Sequence, residues 1–256
     1  MSKALISQIR LLHHKKHRDE QGVFIVEGVK SCMETLLSNL EVMACYATDI
    51  FVTKHNDIKV TPISEKEMER ISCLASAQEI LCIVKKPQYN VDDLEDTKPL
   101  LVLDAIRDPG NLGTMIRTAD WFGFTQILCS EDCVEFTNPK VIQATMGSFT
   151  RIKIVYTDIS NYLKTETHRT IYGLYMNGEF IQNQSFKNND IVVIGSESHG
   201  ISNDLLSYIN KKIKIPLFPH ETTAPESLNA AMAAGIFMYE SRRQKARKCE
   251  KTTINH

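Results

Sequence analysis

No run in this chain of 256 residues approaches the roughly 18–20 uncharged apolar residues that a membrane-spanning helix needs. The N-terminus, Met1-Ser2-Lys3-Ala4-Leu5-Ile6, meets Arg10 and Lys15 before a signal-peptide core can form. The expectation is a cytoplasmic protein with no membrane partner. An excess of one charge is missing too: 30 Lys and Arg stand against 31 Asp and Glu. That excludes the whole-chain basicity of the simplest nucleic-acid binder and leaves RNA contact to local charge. Cysteines number seven, an odd count, and no two form a C-x-x-C pair, so reduced thiols packed as small hydrophobes are expected and a metal site is not. With only 11 glycines and 8 prolines, and 43% hydrophobic residues, the composition is that of a globular chain, long enough for one large domain or two unequal ones.

The first thirty residues are locally basic, with six Lys and Arg against three acids and with His13, His14 and His17 interleaved. Leu5, Ile9 and Leu12 predict a helix over Ser2 to His17, followed by a short strand at Phe24-Ile25-Val26. A second helical pattern runs from Val29 to Leu40, and Ala44–Ala47 and Ile50-Phe51-Val52 read as short β-like runs. Ser64 with Glu67 three residues on is a capping box, and Ile80–Val84 looks like a buried strand. A charged, proline-bounded stretch then suggests a division into residues 1–86, a linker over 87–98, and a second domain over 99–256.

Beyond the linker, apolar runs at Leu100–Leu103, Gln126–Leu128, Ile152–Val155, Thr170–Tyr175, Ile191–Gly195 and Lys212–Pro216 alternate with helical patterns, and a long helix from Ser227 to about Lys248 closes the chain. Near-continuous apolar strands of this kind predict an α/β domain with a parallel sheet. In such sheets ligands bind at the carboxyl ends of the strands. Three loops there are unusual: Asp104 to Ala119, Gly195-Ser196-Glu197-Ser198-His199-Gly200-Ile201-Ser202, and the proline-bounded stretch ending in Ser227-Leu228-Asn229. None holds G-x-G-x-x-G, a phosphate loop or a G-x-S-x-G elbow, which sets back dehydrogenase, kinase and serine-hydrolase chemistry. Taken singly, Asn111 is either a helix N-cap or a functional side chain, and the same choice holds for Ser227. Arg117, amid Met115, Ile116 and Ala119, is harder to explain as a plain surface charge.

Together the loops resemble the three signature motifs of the SpoU/TrmH branch of the SPOUT superfamily, RNA ribose 2'-O-methyltransferases. The matching residues are Leu103-Asp104-x-x-x-Asp108-Pro109-Gly110-Asn111-Leu112-Gly113-x-x-x-Arg117-Thr118-Ala119, Ile194-Gly195-Ser196-Glu197-x-x-Gly200-Ile201-Ser202, and Ile215-Pro216 leading to Ser227-Leu228-Asn229-x-Ala231. A weaker similarity to the family's substrate-binding domain covers Leu11 to Gly28. Two departures stand out: Thr145-Met146-Gly147 where the family has Ser-x-Gly, and a long loop from Leu217 to Glu226.

The resemblance implies a C-terminal domain threaded as a trefoil knot, a smaller N-terminal α/β domain that binds RNA, and a homodimer formed through the C-terminal domain. It implies S-adenosyl-L-methionine held around Gly195, Glu197, Gly200, Ile215, Leu217, Ser227 and Leu228. It assigns Asn111, Arg117, Glu197, Ser227 and Asn229 to catalysis, with Lys15, Lys16, Arg18 and Arg107 as RNA contacts. A guanidinium is almost always protonated, so Arg117 is read as fixing phosphate and hydroxyl, with Glu197 orienting Arg117 or Asn111. Ribosomal RNA is the expected substrate. The alternatives are tRNA, a catalytically silent RNA-binding module, and a Rossmann-like enzyme of another chemistry.

Overall fold

The computed structural model describes residues 1–218 and 227–253, from 245 onward as helical backbone alone. It divides into two compact units, Met1–Gln88 with Glu135–Arg151, and Tyr89–Val134 with the chain from Ile152. The expected division differs in two respects. The stretch over 87–98 is no free tether: Asn90 caps a single 3-10 turn over Val91–Asp93, and Leu94 packs on the apolar cluster of the second unit. Gln126, almost fully buried, accepts from the Glu95 amide (2.9 Å) and donates to the Glu95 carbonyl (3.0 Å). The segment Glu135–Arg151, expected within the second domain, belongs to the first unit.

In the first unit, α1 (Lys3–Leu11) is capped by Ser2 and buries Ile6 and Ile9. The single helix expected to His17 is two helices, with α2 (Lys15–Gln21) starting after a break. At the break the Arg18 guanidinium donates to the carbonyls of Leu12 and His13, both at 2.8 Å, and His13 Nε2 meets the distant Ile71 carbonyl at 3.0 Å. Then follow β1 (Val23–Glu27), α3 (Val29–Leu36), β2 (Val42–Ala47), α4 (Asp49–Lys54), β3 (Thr61–Pro62), α5 (Glu65–Ile71) and β4 (Ile80–Lys85). The sheet runs β1-β4-β2-β3, antiparallel except for the β2–β3 pair. Ile50-Phe51-Val52, expected as β-like, lies in α4, since a three-residue apolar run carries no period and only Phe51 of the three is buried. Ser64 and Glu67 form the expected capping box.

Arg18, expected to face RNA, is 2% exposed and ion-paired to Glu135. Phe24 of β1 is met edge-on by Phe136 and Phe149, each at 5.9 Å between ring centroids. The first unit's core is thus completed by a segment that follows it by nearly fifty residues, and Arg18 belongs to that core.

The second unit holds β5 (Leu100–Leu103), α6 (Pro109–Trp121), β6 (Gln126–Cys129), β7 (Lys153–Tyr156), α8 (Ile159–Thr165), β8 (Ile171–Phe180), β9 (Ile191–Ile194), β10 (Lys211–Lys214) and α9 (Ala230–Thr253), while α7 (Pro139–Thr145) goes with the first. All six strands pair in parallel, in the order β10-β8-β9-β5-β6-β7. β5, β6 and β9 are buried at every position, and apart from Gln126 in β6 they are apolar throughout. The chain builds outward from β5 to β6 and β7, then crosses to the other side for β8, β9 and β10. The loops after β5 and β9 therefore part at the switch point where open sheets bind ligands.

Because Arg18 is a buried ion pair, Arg18→Ala should lower stability in urea unfolding by about 3–5 kcal/mol, whereas Lys15→Ala, an exposed residue, should stay within about 0.5 kcal/mol of the parent. Equal effects of the two would contradict the structural role.

Candidate active site at the switch point of the sheet

The helix after β5 is capped by Asp108, whose carboxylate accepts the Asn111 amide at 2.7 Å, with Pro109 as the first helical residue. Asn111 is thereby released from capping, and its Nδ2 donates to Glu197 in the loop after β9. At the start of α9 the cap is Asn229 rather than Ser227: its Oδ1 accepts the amides of Ala231 (3.0 Å) and Met232 (3.2 Å). The amide group of the same Asn229 donates to Asn111 Oδ1 (2.8 Å) and Glu197 Oε1 (3.3 Å), and the Ala230 amide reaches Glu197 Oε1 at 3.2 Å. Three loops far apart in sequence close on one carboxylate. Beneath them the buried Asp104 accepts the Ser202 amide at 2.7 Å, tying the first loop to the second. Ala105 bends the first loop with φ +57°, and its amide is held by Ser130 Oγ at 2.9 Å.

The loop after β9 and the chain between β10 and α9 wall a cavity of about 800 Å³, within the size range of cofactor pockets. All seven residues expected at a cofactor, Gly195, Glu197, Gly200, Ile215, Leu217, Ser227 and Leu228, line it. Leu174, Tyr175, Met176 and Asn177 of β8 line it too and were missed in the sequence, as was Phe218. Their presence follows from a register jump: Gly173 pairs with Lys212 but Glu179 with Ile213, so residues 174–178 stand out of the ladder. Gly178 makes this possible, with φ +149° and the Lys212 carbonyl oxygen 2.5 Å from where a Cβ would sit. The flanking glycines were the only signal.

Two features test whether the cavity suits a polar ligand with an apolar body. A Cβ on Gly195 would lie 2.0 Å from the Gly200 carbonyl carbon, so the loop folds back on itself backbone to backbone and only glycine allows this shape of the wall. The Tyr175 hydroxyl is buried without a hydrogen-bond partner among the described residues. Burial, then the nearby Asp104 carboxylate, pushes its pKa up, which keeps the phenol a donor. A buried donor awaiting an acceptor beside a glycine wall fits S-adenosylmethionine.

Arg117 is exposed on α6, two turns along from Asn111, with no ion pair or hydrogen-bond partner among the described residues. The expected RNA contacts are less free: Lys15 pairs with Asp19 (3.3 Å), Lys16 lies 3.9 Å from Glu20, and Arg107 pairs with Asp132 (2.9 Å), all on the surface. Ser130, then Arg107, hold the Asp132 carboxyl below its usual range. In the C-terminal basic segment, Arg242 donates to the carbonyls of Phe122 and Gly123 and Arg243 to Glu240. The side chains of Lys245, Arg247, Lys248 and Lys251, and the expected long loop from residue 219 to 226, lie outside the described residues. No cluster of His, Cys, Asp or Glu among the described residues could hold a metal.

The SpoU rRNA Methylase family model matches residues 98–239. The chain belongs to that family. In this SpoU methylase, residues 3–82 match the MRM3-like substrate binding domain. It is 30% identical over 241 residues to a 23S rRNA (guanosine(2553)-2'-O)-methyltransferase of Bacillus subtilis, covering 90% of this chain and 93% of that protein. Mitochondrial rRNA methyltransferase 3 of Mus musculus is 28% identical over 316 residues, 96% of this chain and 73% of its own. The AdoMet-bound rRNA methyltransferase from Sinorhizobium meliloti superimposes with a TM-score of 0.82 at 26% identity, covering 94% of this chain and 95% of that one.

Gly195→Ala should leave the secondary structure intact by circular dichroism yet abolish saturable S-adenosylmethionine binding in calorimetry. Unchanged affinity would show that the close approach of Gly195 and Gly200 does not shape the cofactor wall.

Proposed function

We propose that this chain transfers the methyl group of S-adenosylmethionine to a ribose 2'-hydroxyl of ribosomal RNA. The observation that carries the reading is the closure of Glu197 and Asn229 on Asn111 of α6, the same helix that presents Arg117, which has no ion pair among the described residues. The rRNA 2'-O-methyltransferase of Bacillus subtilis supports the reaction and the substrate class. The AdoMet-bound relative supports the cofactor.

When bound, S-adenosylmethionine supplies an electrophilic methyl carbon on a sulfonium, so alignment and removal of one proton are what the protein adds. Gly195, Gly200, Ile215, Leu217 and Leu228 hold the cofactor through backbone and apolar contact, with Tyr175 as a buried donor. Ser227 keeps its hydroxyl unpartnered among the described residues, at the mouth where a ribose enters. Arg117 fixes an RNA phosphate and the hydroxyl; its guanidinium holds its protons, so the hydroxyl proton leaves through phosphate or water. Glu197 positions by accepting from Asn111 and Asn229, which keeps α6 and α9 in register.

The first unit reads the RNA, a role supported by the match to a substrate-binding domain. Strands β8, β9 and β10 lie out of chain order, and α9 donates its first amide, that of Ala230, to Glu197 and packs Gly235 against Thr118 of α6, which supports a trefoil-knotted chain path. Trp121 on α6 and Met232 and Tyr239 on α9 are exposed large apolar residues, a face suited to a homodimer. No described helix is long and apolar enough to cross a membrane, in keeping with a cytoplasmic enzyme.

Arg117→Ala should abolish transfer of labelled methyl to ribosomal RNA while leaving S-adenosylmethionine affinity nearly intact. Retained turnover would overturn the assignment.

A further inference from the structure

The outer edge strand β10 carries Lys211, Lys212 and Lys214, and none has a carboxylate within ion-pair distance among the described residues. Lys15, Lys16 and Arg107 differ, each having an acidic partner. Here the ammonium groups lie over rings instead: Lys212 is 5.1 Å from the Tyr175 centroid and Lys214 is 4.6 Å from that of Phe180. Lys211 lies over Tyr172 and reaches Gln184. The one carboxylate in the facing ladder, Glu179 opposite Ile213, is engaged by Gln184 Nε2 at 2.6 Å. An ammonium over a ring face keeps its N–H donors available to an anion.

Position makes this patch more than a solvated edge. β10 runs directly into Ile215 and Leu217 of the cavity wall, and its two halves flank the register jump that sends Tyr175 and its neighbours into the same wall. Lys212 and Lys214 sit at alternate positions of one strand, hence on one face and about 7 Å apart at the strand rise of ~3.3 Å per residue. Phe180 beside them is 41% exposed and offers a stacking face.

We propose that Lys212 and Lys214, with Phe180, form a backbone-gripping strip for single-stranded substrate RNA next to the cofactor cavity. This rests on the RNA-methylating reading above. Two ammonium groups contact phosphates while the exposed ring takes a base, the combination by which proteins hold single strands without reading sequence. The strip acts on RNA affinity and its salt dependence, leaving the cavity itself unchanged.

The test titrates the full-length protein with a labelled single-stranded RNA oligonucleotide between about 50 and 200 mM salt. The parent is compared with Lys212→Gln/Lys214→Gln, with Lys214→Gln alone, and with Lys212→Arg/Lys214→Arg, and calorimetry with S-adenosylmethionine on each sample checks the cavity. Each lost phosphate contact should flatten the slope of log affinity against log salt by about 0.7, so about 1.4 for the double glutamine variant. The arginine variant should keep the parent slope. Glutamine variants that bind cofactor normally and keep the full slope would overturn the strip while leaving the function standing. A parent protein that moves no methyl to RNA would instead remove the function it rests on.

Discussion

One carboxylate oxygen organises the site. Glu197 Oε1 accepts N–H groups from Asn111 on α6, from Asn229 at the cap of α9, and from the first amide of α9. Hydrogen bonds to a charged group contribute about 1.5–3 kcal/mol each, and the positive end of the α9 dipole favours the negative charge placed there. The caps depend on this arrangement in turn. With Asp108 satisfying the Asn111 amide, the Asn111 side chain can leave its own helix, and Asn229 serves as both cap and bridge. Arg117 inherits its place from the helix so fixed, without an ion-pair partner among the described residues.

The sheet supplies what that carboxylate needs, a place where adjacent loops diverge. β5 and β9 are neighbours whose following loops lead opposite ways, and the Ser202 amide on Asp104 holds those loops at a set separation. The cavity then requires one irregularity, the register jump between β8 and β10, because a continuous ladder would bury Leu174 to Asn177 in strand pairing instead of presenting them to a ligand. The first unit has a different dependence. Its core borrows Phe136, Phe149 and Glu135 from a segment between β6 and β7, so the chain passes between the units at three points. A cut in the expected linker would sever only one of them.

Much of this was legible in the sequence, for identifiable reasons. Strands β5 and β9 are apolar at every position and announce themselves, and Ser64 with Glu67 is a local signal that needs no tertiary context. The loop residues of the cavity were legible through the family resemblance, since singly Asn111 and Ser227 read equally well as caps, and the caps are Asp108 and Asn229. Arg18 was misread because a basic residue in a basic segment looks exposed, while its partner Glu135 stands 117 positions away. The same long-range bonding hid the helix break at Leu12 to His14. Nothing in Leu174 to Asn177 marks them as cavity wall except Gly173 and Gly178, whose role depends on a partner strand. The three lysines of β10 read as an amphipathic strand; that they lack acidic partners among the described residues is a property of the neighbours.

The central claim is that the convergence at Glu197 serves transfer to a ribose hydroxyl rather than to a base. Methyl-labelled S-adenosylmethionine, the full-length protein and ribosomal RNA, followed by alkaline hydrolysis, tests it most directly, because a 2'-O-methyl group blocks the cleavage that needs a free 2'-hydroxyl. Label is expected in alkali-resistant dinucleotides. Label recovered in mononucleotides would place the methyl on a base and contradict it.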